Sequence, residues 1–231
     1  HMNVDAAGLI TLPSDADPIQ LSMLMVNPPT ASLLLSEFVN LQPGDWVIQN
    51  AANSAVGGYL TQLAAARGLR TANIVRRESA VEGVLELGGD VCLVDGPGLR
   101  SRVAEVTAGA KIRLAIDAVA GEATGRLAST LANGGTVVNY GGMSGEPCSI
   151  PPLSIIFSDI TLTGFWLARW FRTASREAQA SMFGEITRLI SAGRLTAKVA
   201  ATYDVSEISA AVEHAASGER DGKVVVVPSH D

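Results

Sequence analysis

The feature that most constrains the fold of this chain is a regular alternation of two patterns. Short runs rich in β-branched residues alternate with longer segments of helical period through most of the 231 residues. Since parallel strands need long crossover connections, usually helices, this alternation predicts an α/β fold with a doubly wound parallel sheet. The predicted strands lie at residues 45–51, 71–76, 90–94, 112–117, 135–140 and 160–164.

The helical segments are bounded by recognisable stop signals. Three of them are followed by Gly68, Gly88 and Gly193, where a glycine C-cap would end a helix. The strands at 90–94 and 135–140 are almost continuously apolar, which predicts burial on both faces. The predicted helices lie at residues 31–38, 54–67, 80–87, 121–131 and 176–192.

Composition and rhythm divide the chain into three parts. Residues 1–29 form an irregular, proline-containing lead, in which His1-Met2 is the pattern left by a cleaved expression tag. Residues 30–170 hold the alternating segments, and 171–231 carry C-terminal helices and strands. From residue 196 the order is strand, helix, strand, which either extends the main sheet or belongs to a second, substrate domain.

A loop of small residues follows the first predicted strand. Asn53, Ser54, Ala55, Val56 and Gly57 lead directly into the next helix. Small side chains let the backbone approach a pyrophosphate, which free N–H groups and the positive end of the helix dipole favour. Gly57 would allow close packing of helix against strand. The usual G-x-G-x-x-G string is absent, so a small-residue turn capped by Ser54 is the alternative.

Two arginines follow the second predicted strand, where NAD-binding Rossmann domains carry an acid for the ribose hydroxyls. Arg76 and Arg77 can hold a 2′-phosphate through charge-assisted hydrogen bonds, whereas a solvated surface pair is the alternative. Glu78 comes two residues late for the ribose, and we expect it to cap the following helix. Together with the loop, the arginines predict a Rossmann-type domain that binds NADPH rather than NADH.

The composition argues against several other functions. The net charge of −6 and the scattered Lys and Arg residues provide no basic field, so we expect no nucleic-acid partner. Neither the two cysteines nor the three histidines have metal-ligand spacing, so no metal is predicted. No apolar run approaches the ~20 residues that cross a bilayer, so we expect no membrane partner and a cytoplasmic protein, mitochondrial if the source is eukaryotic.

Several motifs resemble the medium-chain dehydrogenase/reductase superfamily, and within it the zinc-free trans-2-enoyl thioester (enoyl-CoA or enoyl-ACP) reductase branch. The resemblance runs from about residue 9 to the C-terminus, and its most specific motifs are PGDWVIQNAANSAVG at 43–57, YGGM at 140–143 and GFW at 164–166. General quinone reductases and alcohol dehydrogenases share the fold, but usually carry a glycine-rich A-A-G-G-V-G loop.

The resemblance implies a continuous cofactor track along the chain. The resemblance adds candidate residues to the loop and the arginines. They lie in a segment beneath the nicotinamide end, at the end of the next strand and at two isolated positions. Each of these could instead be a core or a solvated surface residue. The residues that it adds are Asn27, Tyr140, Gly141, Gly142, Met143, Phe165, Trp166, Leu167 and Lys223. Phe165 and Trp166 are neighbours, and on a strand they would face opposite sides, so one of them is expected to be functional.

In that branch the catalytic tyrosine belongs to an N-terminal GroES-like barrel, which this chain is expected to lack. The tyrosines present are Tyr59, Tyr140 and Tyr203, and none matches that position. We therefore name no catalytic residue, and expect the chain to bind NADPH but to have little activity alone.

The reaction implied is hydride transfer to an α,β-unsaturated acyl thioester, a small-molecule substrate. An NADPH:quinone reductase-like zinc-free enzyme and a non-catalytic NADPH-binding module are the alternatives. The resemblance also implies a homodimer formed at the edge of the Rossmann sheet, with the strand at 160–164 as the candidate edge.

Overall fold

The alternating segments build a six-stranded sheet in the computed structural model, which describes residue 3, residues 11–217 and residues 222–228. All five strand pairings are parallel, in the order β3-β2-β1-β4-β5-β6. The chain therefore winds outward from β1 to β3, then returns to begin β4 on the other side of β1. The strands are β1 Trp46–Gln49, β2 Arg70–Val75, β3 Val91–Val94, β4 Leu114–Asp117, β5 Thr136–Asn139 and β6 Thr161–Gly164.

Helices connect these strands, as parallel pairing requires. The described residues also contain the 3₁₀ helices Glu78–Ala80 and Val205–Glu207. The α-helices are α1 Pro18–Leu21, α2 Asn27–Leu34, α3 Ala55–Ala66, α4 Val81–Glu86, α5 Leu99–Val106, α6 Glu122–Thr130, α7 Pro152–Ser158, α8 Leu167–Thr173, α9 Arg176–Ser191 and α10 Ile208–Ala216. The predicted Rossmann-type doubly wound sheet is confirmed.

The core lies around the two central strands. Every residue of β1 and β4 is buried, and the two strands pair in register from Val47 with Leu114 to Gln49 with Ile116. The predicted burial of both faces is wrong for the strand at 90–94, because β3 lies at one edge of the sheet and all four residues are only partly buried. β6 forms the opposite edge and is largely exposed.

The chain divides into two compact units, Val26–Ala174 and a second unit made of the preceding residues together with those from Ser175 onward. In the second unit, β7 (Val199–Asp204) and β8 (Lys223–Val227) form a separate parallel sheet. The segment from residue 196 therefore builds a small sheet of its own instead of extending the main one.

The irregular lead predicted at 1–29 is wrong for its second half. It contains α1 and the start of α2, which begins at Asn27 and ends at Leu34 instead of spanning 31–38. Pro18 opens α1, and Pro28 and Pro29 lie in the first turn of α2. Proline is tolerated there because the first N–H groups of a helix have no partner within the helix.

Four helices, α1, α5, α7 and α8, have no counterpart in the predicted set. Each has eight residues or fewer, so its periodic signal is short. The three glycine C-caps are confirmed, because Gly68, Gly88 and Gly193 have φ of +71°, +94° and +65°. None of the helices within the described ranges combines the length and the apolarity that a membrane crossing needs.

Candidate dinucleotide-binding site

The small-residue loop lies between β1 and α3. Ala51 adopts a left-handed conformation with φ of +47°, which non-glycine residues rarely do. Ser54 then caps α3, because its Oγ accepts a hydrogen bond from the N–H of Gly57 at 3.1 Å. The loop is therefore a tight strand-to-helix turn with a serine N-cap. In this geometry the N-terminus of the helix faces the end of the sheet.

Gly57 lies against the backbone of this loop. A Cβ at this position would stand 2.5 Å from the carbonyl oxygen of Ala52 and 2.7 Å from that of Ala51, so only glycine fits without a shift. Within the described part of the chain, the N–H groups of Ala55 and Val56 in the same turn have no hydrogen-bond partner. Free N–H groups on a closely packed helix N-terminus provide what an anionic phosphate group needs.

A neutral polar network holds α3 to the strands beneath it. Nε2 of Gln49, at the end of β1, donates to the Gly57 carbonyl at 3.0 Å, to Thr61 Oγ1 at 3.0 Å and to Asn73 Oδ1 at 2.7 Å. Gln49, Thr61 and Asn73 are almost completely buried. Since buried amides and hydroxyls are costly unless paired, this network restricts where the first turn of α3 can lie.

A second network lies beside it at the ends of β1 and β4 and is centred on a carboxylate. Asp117 is fully buried. Its Oδ1 accepts hydrogen bonds from Asn50 Nδ2 at 2.6 Å and from the N–H groups of Val119 at 2.9 Å and Ala120 at 3.1 Å. In return, Oδ1 of Asn50 accepts from the N–H of Ala118 at 2.7 Å. One carboxylate oxygen thus joins the turn after β1 to the turn after β4.

The other oxygen of Asp117 points to β5 and α6. Oδ2 accepts from Thr124 Oγ1 at 2.6 Å and from Asn139 Nδ2 at 3.1 Å. The same Asn139 amide group donates to the carbonyl oxygen of Gly141 at 2.8 Å. An ionised carboxylate can only accept hydrogen bonds, and all five groups around Asp117 donate to it. Asn139 connects this carboxylate to the predicted segment after β5.

The predicted segment Tyr140 to Met143 follows β5 directly and stays paired beyond the strand. A Cβ on Gly141 would lie 2.9 Å from the Ala118 carbonyl oxygen, so the two loops pass closer than a side chain would allow. Gly142 and Met143 are exposed, and Met143 is 70% accessible. The backbone hydrogen bonds that continue the ladder are Tyr140 N to Asp117 O, Met143 N to Ala118 O and Ser144 N to Val119 O.

The Tyr140 side chain connects this segment to the loop after β1. The pKa of Tyr140 is raised to about 12, mainly by burial. A hydrogen bond with the Ser54 side chain lowers this pKa, and the nearby charge of Asp117 raises it. The phenol therefore stays protonated at neutral pH. Ser54, the N-cap of α3, and Tyr140, the first residue after β5, were predicted separately and lie together.

Arg76 and Arg77 follow the last residue of β2, Val75, and both are exposed. Within the residues that the structure describes, neither guanidinium group makes a hydrogen bond or an ion pair. Both arginines lie at the same end of the sheet as the N-terminus of α3, because parallel strands share their carboxyl edge. Their predicted role toward a 2′-phosphate stays a prediction.

The expectation that Glu78 caps the following helix is wrong. Glu78 is the first residue of the 3₁₀ helix Glu78–Ala80, whose N-cap is Arg77, and neither this helix nor α4 has a side-chain cap. Glu78 lies instead close enough to Cys92 to raise the pKa of that thiol. Burial contributes more, and the two effects bring the pKa to about 11.

Phe165 and Trp166 lie just past the end of β6 at Gly164, so the argument from strand alternation does not apply to them. Phe165 is partly buried and packs edge-on against Phe38, with 5.9 Å between ring centroids. Trp166 is 62% exposed, with the guanidinium of Arg172 4.8 Å from its ring centroid. Leu167 begins α8 and is partly buried. Of these residues, Trp166 is the most accessible to a ligand.

Two predicted residues lie apart from these loops in the sequence. Asn27 is the first residue of α2, the helix that packs against α3, and it is partly buried. Lys223 begins β8 in the second unit, where its N–H donates to the carbonyl of Lys198 at 2.8 Å. Their predicted contacts with a cofactor stay predictions.

The sequence interpretation missed the neutral network of Gln49, Thr61 and Asn73. It also missed the residues of the carboxylate network that stand at strand ends, Asn50, Asp117 and Asn139. Each stands at or next to the carboxyl end of a strand, and each is polar within an otherwise apolar run. A polar residue in that position is a usable signal, because a buried polar group must find a partner.

The described residues contain no group of three or more His, Cys, Asp and Glu side chains placed to hold a metal ion. They do fit a dinucleotide, because the N–H groups of Ala55 and Val56 are free at the N-terminus of α3. Gly57 and Gly141 let the loops after β1 and β5 pack closely against neighbouring backbone carbonyls. In doubly wound sheets a dinucleotide lies across the crevice between β1 and β4, where the winding direction changes. The Asp117 network lies at this position, and the Gln49 network lies on the other side of β1, toward β2.

Fold, strand order and site together define a dehydrogenase-type dinucleotide-binding unit. The family model for zinc-binding dehydrogenases matches residues 55–188, and the chain belongs to this family.

Two curated proteins similar to this chain carry the same name. The mitochondrial enoyl-[acyl-carrier-protein] reductase of Dictyostelium discoideum is 41% identical over 190 residues, which cover 79% of this chain and 53% of that protein. The human protein of the same name is 36% identical over 213 residues, 89% of this chain and 56% of its own length. These similarities agree with the predicted resemblance to the enoyl thioester reductase branch, and the chain spans about half the length of these relatives.

Solved structures agree on the fold. The complex of Etr1p with NADP and crotonyl-CoA superimposes with a TM-score of 0.80 at 27% identity, over 90% of this chain and 61% of that one. The Etr1p/Etr2p heterodimer of mitochondrial 2-enoyl thioester reductase from Candida tropicalis has a TM-score of 0.78 at 27% identity, with the same coverage of both chains. A mycobacterial quinone oxidoreductase has a TM-score of 0.85 at 25% identity, covering 94% of this chain and 67% of its own.

Proposed function

We propose that this chain is the NADPH-binding portion of an oxidoreductase that transfers hydride to an α,β-unsaturated acyl thioester. The observation that carries the proposal is the arrangement at one end of the sheet. A helix N-terminus with free N–H groups, at Ala55 and Val56, lies between an unpaired arginine pair and the Tyr140 to Met143 segment. The similarity to the Etr1p complex with NADP and crotonyl-CoA supports the cofactor and the substrate class.

Different groups of predicted residues would bind different parts of the cofactor. Arg76 and Arg77 would bind the 2′-phosphate, and the α3 N-terminus from Asn53 to Gly57 would bind the pyrophosphate. The backbone of 140–143 would lie beneath the nicotinamide, with Trp166 and Leu167 beyond it. Asn27 and Lys223 are retained as further contacts on the strength of the family resemblance alone.

The proposed reaction needs a hydride, an enolate stabiliser and a proton. NADPH would supply the hydride to the β-carbon of the thioester when bound. The described residues would bind and orient the cofactor, and the neutral phenol of Tyr140 would keep Ser54, and with it the cap of α3, in place. We assign no group of this chain to protonate the enolate.

The cofactor assignment is tested by calorimetry on this chain with NADPH and NADH. We expect NADPH to bind at least tenfold more tightly, and Arg76→Ala, Arg77→Ala or the double variant to remove most of this preference. Arg100→Ala is a matched control, since Arg100 is an exposed arginine on α5. Equal affinity for the two cofactors in the unmodified chain would contradict the assignment.

The acceptor is tested on the full-length protein, with crotonyl thioesters and quinones compared as substrates. A quinone reductase is the second candidate function, favoured by the superposition on the mycobacterial enzyme. Faster turnover of quinones than of crotonyl thioester would establish it. We expect this chain alone to have little turnover with either substrate. By itself it would then act as a non-catalytic NADPH-binding module.

We also propose a homodimer through the β6 edge, which the Etr1p/Etr2p heterodimer supports as a type of assembly. β6 pairs only with β5 in the described sheet, and the preceding helix α7 presents an apolar surface. Leu153, Ile156 and Phe157 on α7 are 64%, 66% and 75% exposed, and Leu162 on β6 is 41% exposed. An exposed edge with so many apolar side chains is unusual in a monomer.

Sedimentation equilibrium tests the dimer. Phe157→Asp should shift the chain toward a monomer, whereas Val106→Asp, an exposed apolar position on α5, should leave the mass unchanged. A monomer before any substitution would contradict the proposal.

Two further predictions accompany this function. We retain the division into a lead at 1–29, an NADPH-binding domain at 30–170 and a substrate-domain remnant at 171–231. For a eukaryotic source we propose a mitochondrial location, as in the names of the relatives.

A further inference from the structure

We propose that Asp117 is a positioning residue for the nicotinamide half of the cofactor site, acting through Asn139 on the segment after β5. This inference rests on the proposed function, and it adds a residue that the motif analysis did not include. Asp117 lies at the end of β4, fully buried, and accepts five hydrogen bonds.

The topology assigns each half of the sheet to one half of the ligand. A doubly wound sheet binds one mononucleotide on each side of the switch between β1 and β4. The arginines after β2 place the adenosine 2′-phosphate on the side of β1 to β3. The nicotinamide then belongs to the side of β4 to β6, whose loops are those that Asp117 holds.

Three loops meet at this carboxylate. Asn50 brings the turn after β1, the N–H groups of Val119 and Ala120 belong to the turn after β4, and Asn139 connects to the Gly141 carbonyl in the segment after β5. The first of these turns leads to the pyrophosphate loop. The third, through Asn139, is the one predicted to lie beneath the nicotinamide.

The chemistry of the group makes the arrangement specific. A carboxylate presents acceptors on both oxygens, whereas an asparagine of the same shape presents an NH₂ in place of one of them. With that NH₂ at the Oδ2 position, Thr124 can still pair, because its hydroxyl can turn and accept. Asn139 cannot, because it offers its own NH₂ in that direction, so Asp117→Asn releases the contact that restrains Gly141.

The test measures two ligands by calorimetry on the unmodified chain and its variants. NADPH occupies both halves of the site, and adenosine 2′,5′-bisphosphate occupies only the adenosine half. We expect Asp117→Asn to weaken NADPH about tenfold, the loss of one charge-assisted hydrogen bond, while the bisphosphate affinity changes less than about twofold. The ratio of the two dissociation constants is the readout, because a general loss of structure would weaken both ligands.

Two variants keep the test decisive if Asp117→Asn folds poorly. Asn139→Ala removes only the donor to Asp117 and Gly141, and should change the ratio in the same direction. Thr124→Val removes a bond to the same carboxylate oxygen from the α6 side, and should lower stability without changing the ratio.

The possible failures are distinguishable. If the unmodified chain binds neither ligand, the proposed function itself is wrong. If it binds both, but Asp117→Asn and Asn139→Ala weaken them equally or leave them unchanged, the cofactor assignment stands and the positioning role of Asp117 is overturned.

Discussion

The centre of the site and its adenosine edge are built in opposite ways. At the centre, Asp117 and Asn50 are buried, and all their side-chain polar atoms have partners within the protein. At the edge, Arg76 and Arg77 are exposed, and neither pairs within the described residues. The centre therefore supports both fold and site, whereas the edge is available to a ligand and contributes little to the fold.

The largest expected effect is on the stability of the centre. Asp117→Ala leaves five donors without their acceptor and should lower the free energy of unfolding by about 3–5 kcal/mol, since each buried unpaired group costs about 1–3 kcal/mol and part is recovered by water. Urea denaturation followed by circular dichroism measures the change. A loss below about 1 kcal/mol would mean that the centre is no more important to the fold than the edge.

A backbone contact should give the next largest effect. In Gly57→Ala the new Cβ would lie 2.5 Å from the Ala52 carbonyl oxygen, and we expect a loss of about 1–3 kcal/mol together with weaker NADPH binding. Gly83→Ala in α4 is the matched control. It meets nothing within 4 Å and should stabilise the helix by about 0.5–1 kcal/mol. Equal responses from the two variants would show that the close approach at Gly57 is relaxed in solution.

The centre should also respond to alkaline pH. Tyr140 has a pKa of about 12 in the folded chain against 10.0 when unperturbed, so the folded state holds its proton more tightly. Its contribution is present below pH 10 and is lost as pH rises toward 12, by up to about 2 kcal/mol.

Urea denaturation at several pH values between 9 and 11.5 checks this expectation. The decline should be shallower in Tyr140→Phe than in the unmodified chain, and Tyr59→Phe should have a comparable effect, because burial also raises the pKa of Tyr59 to about 12. Parallel curves for the unmodified chain and Tyr140→Phe would rule out the raised pKa.

The smallest expected effect on stability belongs to the arginine edge. Replacing Arg76 and Arg77 together by alanine removes charges with no recorded partner, so the free energy of unfolding should change by less than about 0.5 kcal/mol. The same urea titration as for Asp117→Ala provides the direct comparison. A loss above about 1 kcal/mol would show that the edge, like the centre, supports the fold.

Much of the fold could be predicted from local pattern. The six strands of the main sheet were predicted within one to two residues at nearly every boundary, because apolar runs bounded by turn residues carry that information. The short helices α1, α5, α7 and α8 were not predicted, since one or two turns give a weak periodic signal. The start of α2 was obscured by its two prolines, which read as irregular chain but open the helix.

Only some residues of the candidate site could likewise be predicted from local sequence. The loop from Asn53 to Gly57 and the arginine pair could be found because small residues and charges at the ends of predicted strands are visible along the chain. Asn50, Asp117 and Asn139 could not be grouped, because they are 67 and 22 residues apart and meet only when β1, β4 and β5 pair. Glu78 was predicted to cap the following helix, but it is itself the first residue of a 3₁₀ helix without a side-chain cap.

The sequence by itself determined the six strands of the main sheet, the glycine ends of three helices and the small-residue loop and arginine pair at two strand ends, because these depend on neighbouring residues. The tertiary structure alone decided which strand lies at an edge, that the C-terminal strands form a sheet of their own, and which polar groups satisfy one another. Hydrogen bonds between distant strands depend on the order and register of the sheet. The Asp117 network therefore becomes visible only when the chain is folded.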